Sequence, residues 1–183
     1  MNKTLALYQQ HLGPSFSALP LEVQSFHTLQ GQVKLCGQVT VIGAQTWAGR
    51  LLSLLMRFPA HSPNQPFEFL LAASPLREHW QRHFPTRKMV SQMSIEGPFL
   101  VEAFGPMRAR FVLQATPQTL QMEPRGISFL GLPLPAFMLP SVQATERGAD
   151  NKLYFDVSVR WPGKHLAVAY QGHLDLSTAE ALS

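Results

Sequence analysis

The sequence predicts an α+β fold: a curved antiparallel β-sheet or incomplete β-barrel, packed with N-terminal helices and one long helix at about residues 46–58. Three observations lead there. The apolar period changes from helical to two at Gly31. Some seven to nine short segments then follow, most joined by tight turns, the pattern of an antiparallel sheet or barrel. Strand and helix nowhere alternate regularly, which argues against a parallel doubly wound sheet.

The elements can be justified in order. Thr4 can cap a helix through Leu12, which Gly13-Pro14 stops. Pro20 opens a second short helix, with Leu21, Phe26 and Leu29 on its apolar side. Val33, Leu35, Val39 and Val41 alternate with Lys34, Cys36, Gln38 and Thr40, the signature of a half-buried strand, and Gly37 marks a bend or bulge. Thr46 can cap the long helix, whose Leu51, Leu52, Leu54, Leu55 and Phe58 form a broad apolar face beside Arg50, Ser53 and Arg57. Residues 59–66 read as a loop. Strands are then expected at 67–73, 78–84, 89–95, 99–104, 109–115 and 120–123, with turns at Gly97-Pro98 and Gly105-Pro106. A last hairpin pairs 153–161 with 166–174 through Pro162-Gly163-Lys164. One domain spans the 183 residues, with its core at about 5–176 and a loose tail at 177–183.

Composition narrows the class. Charged residues make up 14%, well under the ~25% usual in globular proteins. The 45% apolar content supports a real core and excludes a disordered chain. A single cysteine rules out an internal disulfide and a cysteine-based metal site. The net charge of +4 comes from scattered cations, whereas a nucleic-acid binder concentrates them, so nucleic acid is not the expected partner. Attraction to anionic membrane surfaces stays open. The apolar run after Lys3 is too short for a signal peptide, and no stretch reaches the ~20 residues of a spanning helix. The expected location is the cytoplasm, with Cys36 reduced.

Face assignment supplies the candidate site. In the strand 78–84, Glu78, Trp80, Arg82 and Phe84 share one face, and His79, Gln81 and His83 the other. The aromatic face points inward and takes Arg82 with it. A buried guanidinium needs an acceptor. Either Arg82 pairs with Glu102, which shares a face with Leu100 and Phe104, or it snorkels to water from a strand end. Asp156, with Tyr154 and Arg160 on its face, looks either to solvent or into a wet interior.

Motifs for catalysis are missing. His79 and His83 are spaced as a helical zinc pair, but four residues along a strand separate them by ~13 Å, too far to share an ion. Neither metal nor cofactor is expected. No Gly-x-Ser-x-Gly elbow or Gly-rich phosphate loop is present. His27 ends its helix as a surface or capping histidine without a visible partner. The segment 126–140 is strongly apolar yet holds Pro133, Pro135 and Pro140. It either plugs an open end of the sheet or presents Leu134, Phe137, Met138 and Leu139 to a partner.

Together, Leu7-Tyr8 with Leu12-Gly13, Leu19-Pro20 through Phe26-His27, Trp80-x-Arg82-x-Phe84, Glu102-x-Phe104-Gly105-Pro106, Gly131-Leu132-Pro133-Leu134-Pro135 and Phe155-Asp156-Val157 resemble the bacterial family known as domain of unknown function 4166. The resemblance runs from about Leu7 to Leu174. It implies a compact domain, joined in some members to a short-chain or saccharopine-dehydrogenase-like reductase, and brings no activity with it. It marks Trp80, Arg82, Phe84, Glu102, Phe104, Pro133, Pro135 and Asp156 as positions that matter.

Three functional readings follow. The first is a non-catalytic module binding a small apolar or amphipathic, lipid-like molecule. Trp80, Phe84 and Phe104 would line its cavity, Glu102 and Asp156 would be further candidates, and Arg82 would hold an acidic end. The second is an interaction module docking a reductase or an anionic membrane through the Pro-rich loop at Leu132 to Leu139 or through the Trp47–Phe58 helix. The third is an isomerase or hydrolase with Glu102 or Asp156 as base.

Overall fold

Ten antiparallel strands close on themselves in a computed structural model that describes residues 5–161 and 165–182. The strands are β1 (Gly31–Gly43), β2 (Ser62–Ala73), β3 (Arg77–His83), β4 (Lys88–Glu96), β5 (Phe99–Phe104), β6 (Met107–Ala115) and β7 (Leu120–Phe129). A two-residue strand β8 (Leu132–Pro133) hangs off β7, and β9 (Ser141–Ala149), β10 (Lys152–Trp161) and β11 (His165–Ala181) complete the wall. Each strand pairs with the next, β7 passes to β9, and β11 returns to β1. The sheet is therefore a closed up-and-down barrel, not the incomplete one expected.

The helices are short. α1 (Leu7–Leu12) runs into a 3₁₀ turn (Gly13–Ala18), followed by α2 (Leu21–His27) with Pro20 at its N-cap. These lie across one end of the barrel. The Gln10 amide donates to Pro75 O at 2.7 Å, and the backbone of Gly148 on β9 sits against Pro20 and Glu22. At the other end α3 (Trp47–Leu55) joins β1 to β2. Thr46 Oγ1 accepts the Gly49 N–H at 3.2 Å, the expected cap. The helix stops early because Arg57 is left-handed at φ 55°, with Phe58 N–H on Ser53 O and Arg57 N–H on Leu54 O. That is a Schellman closure, so α3 has nine residues in place of the long helix expected over 46–58. The expected Thr4 cap, the turn at 162–164 and the side chains of Leu52 and Leu55 lie outside the described residues.

Four further boundaries differ from the expectation. β2 begins at Ser62, since residues 62–66 pair only with β1; their other edge is open, where Pro63 and Pro66 do no harm, and Asn64 is left-handed beside a register shift. β7 continues past Pro124 because a bulge against Arg110 and Phe111 absorbs the missing N–H. β9 hides in a polar stretch, yet Val142, Ala144 and Glu146 alternate toward the cavity. Residues 177–181, expected to be loose, continue β11 against β1, with Val33 opposite Ala181.

The core lines the barrel wall and packs the space beneath α1 and α2. Val33, Leu35, Val39 and Val41 of β1 are buried, as are Phe67, Phe69 and Leu71 of β2. No helix among the described residues is long and apolar enough to cross a membrane.

Candidate functional site

The barrel is not filled to its axis. Inside lies a cavity of about 140 Å³, as swept by the centre of a water-sized sphere, well above the ~10–15 Å³ that one water occupies. Phe26 of α2 lines it at one end, and Met56 and Phe58, just past α3, line it too. The wall is overwhelmingly apolar. Met56, Met89, Met93, Met107 and Met122 contribute five flexible thioethers, a deformable lining able to repack around differing shapes.

Arg82 is the principal charge on that wall. Inward alternation on β3 carries Glu78, Trp80 and Arg82 to the interior, and Arg82 is 8% exposed. Its Nη2 donates to Glu102 Oε1 at 3.1 Å and its Nη1 to Ser91 Oγ at 2.9 Å. The guanidinium carbon stands 4.8 Å from the centre of the Trp80 ring. Burial is the largest single influence and works against this charge, but Glu102, Tyr170 and Tyr8 together outweigh it and raise the Arg82 pKa. Of the two alternatives open to Arg82, the structure shows the ion pair.

A second polar group lies under the N-terminal helices. His27 Nε2 meets Glu146 Oε2 at 2.7 Å, with both side chains buried. Tyr8 stacks on His27 with ring centroids 3.7 Å apart. Trp80 Nε1–H donates to Glu78 Oε2 at 2.8 Å. Burial pushes the Glu78 carboxyl up, against the downward pull of His27 and the Trp80 hydrogen bond. Burial, reinforced by Glu78, Glu146 and Glu102, also holds the Tyr8 phenol well above its usual range. Glu146 reaches the cavity, and Tyr170 lines it from β11.

Trp80, Arg82, Glu102 and Phe104 thus converge on the cavity. Two other candidates do not. Phe84 is buried in an aromatic cluster, 5.1 Å from Phe67 and 5.2 Å from Tyr170 between ring centres, and does not line the space. Asp156 is exposed on the outer face, in a shallow groove with Tyr154, Arg147 and His173, because Phe155 and Val157 take the inward positions on β10. Asp156 therefore does not line the interior cavity. The carboxylate of Glu102 is engaged by Arg82.

The Pro-rich loop divides. Leu134 and Leu139 pack on the core and Pro140 lines the cavity, whereas Phe137 is 76% exposed. Met138 is half-buried. Leu134 and Leu139 are therefore plug residues more than contact residues, tethered by Leu134 N–H on Ile127 O.

Sequence reasoning missed Tyr170 and Glu146, the partner of His27. His27 is 1% exposed, not the surface histidine expected. The signal for Glu146 was alternation with Val142 and Ala144, masked by polar neighbours.

Residues 19–174 match the model of the family described as Domain of unknown function (DUF4166). The chain belongs to this family. The match spans the cavity's Phe26, Trp80, Arg82, Glu102 and Glu146. No curated protein matches the sequence. Among solved structures, the crystal structure of Rv2717c from M. tuberculosis is similar, with a TM-score of 0.40 and 14% identity, covering 86% of this chain and 98% of that one.

Proposed function

We propose that the barrel interior holds a small apolar or amphipathic molecule, without catalysis. The observation that carries this reading is an apolar, methionine-rich cavity inside the barrel whose charged side chains, Arg82, Glu102 and Glu146, are each already held in an ion pair. Such sites bind by excluding water from apolar surface and orient the ligand through a few polar contacts.

The pairing bears on the ligand's polar end. Arg82 is matched by Glu102, and Glu146 by His27. An added carboxylate would compete with Glu102 for the guanidinium and sit among three acids, Glu78, Glu102 and Glu146. A neutral end, such as a hydroxyl or carbonyl, would use the Arg82 donors that Glu102 and Ser91 leave free. The acidic end expected from the sequence is therefore replaced by a neutral one.

Thermal unfolding with octanol and with octanoate at neutral pH tests this. Octanol raises the unfolding temperature in proportion to the logarithm of its concentration, and octanoate does so less. Ala144→Phe, which fills space at the cavity wall, removes the shift. No shift with either compound, or an undiminished shift in Ala144→Phe, overturns the binding reading. A preference for octanoate overturns the neutral end alone.

A further inference from the structure

Consecutive antiparallel strands sort their connections to alternate ends of the barrel. The end that carries α3 also holds the β3–β4, β5–β6 and β7–β9 connections, together with the end of β10 and the start of β11. Two features coincide there.

The first is exposed apolar surface. Trp47 (80% exposed), Leu51 and Leu54 stand out from α3 at i, i+4 and i+7, within one narrow stripe. Leu130, Leu132 and Phe137 are exposed in the β7–β9 connection. These six are half of the twelve large apolar side chains left exposed among the described residues.

The second is charge. The described residues of these connections include no Asp or Glu. They carry Arg50 and Arg57 around α3 and Arg87 beside Lys88 at the start of β4. None of these four cations forms an ion pair among the described residues. The opposite end differs: Glu22 and Asp150 lie in its helix and turn.

We propose that the α3 end of the barrel docks on an anionic phospholipid surface. Trp47, Leu51, Leu54 and Phe137 enter the boundary between headgroups and acyl chains, and the unpaired cations meet lipid phosphates. Neither feature alone selects this occupant. An acid-free cationic rim around protruding apolar side chains is the combination an anionic interface attracts, by apolar burial and by charge together. The proposal does not depend on what the cavity holds.

Flotation of the purified chain with vesicles tests it, using phosphatidylcholine alone and phosphatidylcholine mixed with phosphatidylglycerol. The chain floats with the mixed vesicles, fails to float with phosphatidylcholine alone, and is released by high salt. Trp47→Glu combined with Leu51→Glu lowers binding at least ~tenfold. Arg50→Gln lowers it roughly fivefold. Leu76→Glu, equally exposed but at the opposite end, changes nothing. Ala144→Phe still floats, which separates this result from the cavity reading. All these side chains except Ala144 are solvent-facing, and circular dichroism verifies that each variant is folded. Equal binding to both vesicle types, absence of binding, or a Leu76→Glu loss matching that of the double variant overturns the proposal. So does sedimentation showing a dimer that the double variant dissociates, since the face would then cover a second copy.

Discussion

Glu78 shows how one buried side chain ties the barrel's stability to pH. Its carboxyl accepts the Trp80 indole N–H, and burial raises its pKa above the ordinary 4.5. A carboxyl raised in the folded state favours the protonated fold. Its stabilising share is complete below the unfolded value and is lost as pH rises through the folded one. Glu78→Gln keeps an acceptor for Trp80 and cannot ionise. Relative to the parent, this variant should gain unfolding temperature as pH goes from about 4 to about 8, and a constant difference over that range would refute the argument. The inward placement of Glu78, Trp80 and Arg82 was legible in the alternation of β3 alone. The partners were not: Glu146 lies 119 positions from His27, and no local pattern reports a contact across that separation.

Elements were legible where sequence punctuation was strong. Gly97-Pro98 and Gly105-Pro106 end strands where expected, and Thr46 caps α3. Prolines misled at β2 and β7, because an open edge and a bulge tolerate a residue that a paired strand centre does not. The Asp150-Asn151 turn, with both residues left-handed, joins a strand that alternation alone did not reveal. Gly37 makes the clearest demand on an element. A Cβ there would lie 1.8 Å from His173 O, and one at Gly172 would lie 2.1 Å from Gln38 O, so β1 and β11 meet through two glycines. Gly37→Ala should therefore cost about 2 kcal/mol or more, read from denaturant melts, because the obstacle is backbone and not a movable side chain. Parental stability in this variant would show that the seam can spread.

At the scale of the whole molecule, the connections along the chain account for every strand neighbour but one, as hairpins for most, through α3 between β1 and β2, and through β8 between β7 and β9. The exception, β1 against β11, brings Val33 to Ala181. Local alternation predicts hairpins, which is why a sheet was foreseen and its closure was not. Non-local pairing also slows folding, since the ends must meet before their contacts reward them. Refolding followed by tryptophan fluorescence should proceed over milliseconds to seconds, and a complete microsecond phase would contradict a barrel closed by its termini.

An even number of staves has a consequence for change over time. Every second turn along the chain faces the same way, so insertions or exchanges at alternate turns reshape one rim and spare the other. Adhesive properties at one pole and the lid at the opposite pole can drift separately while the staves between them stay untouched.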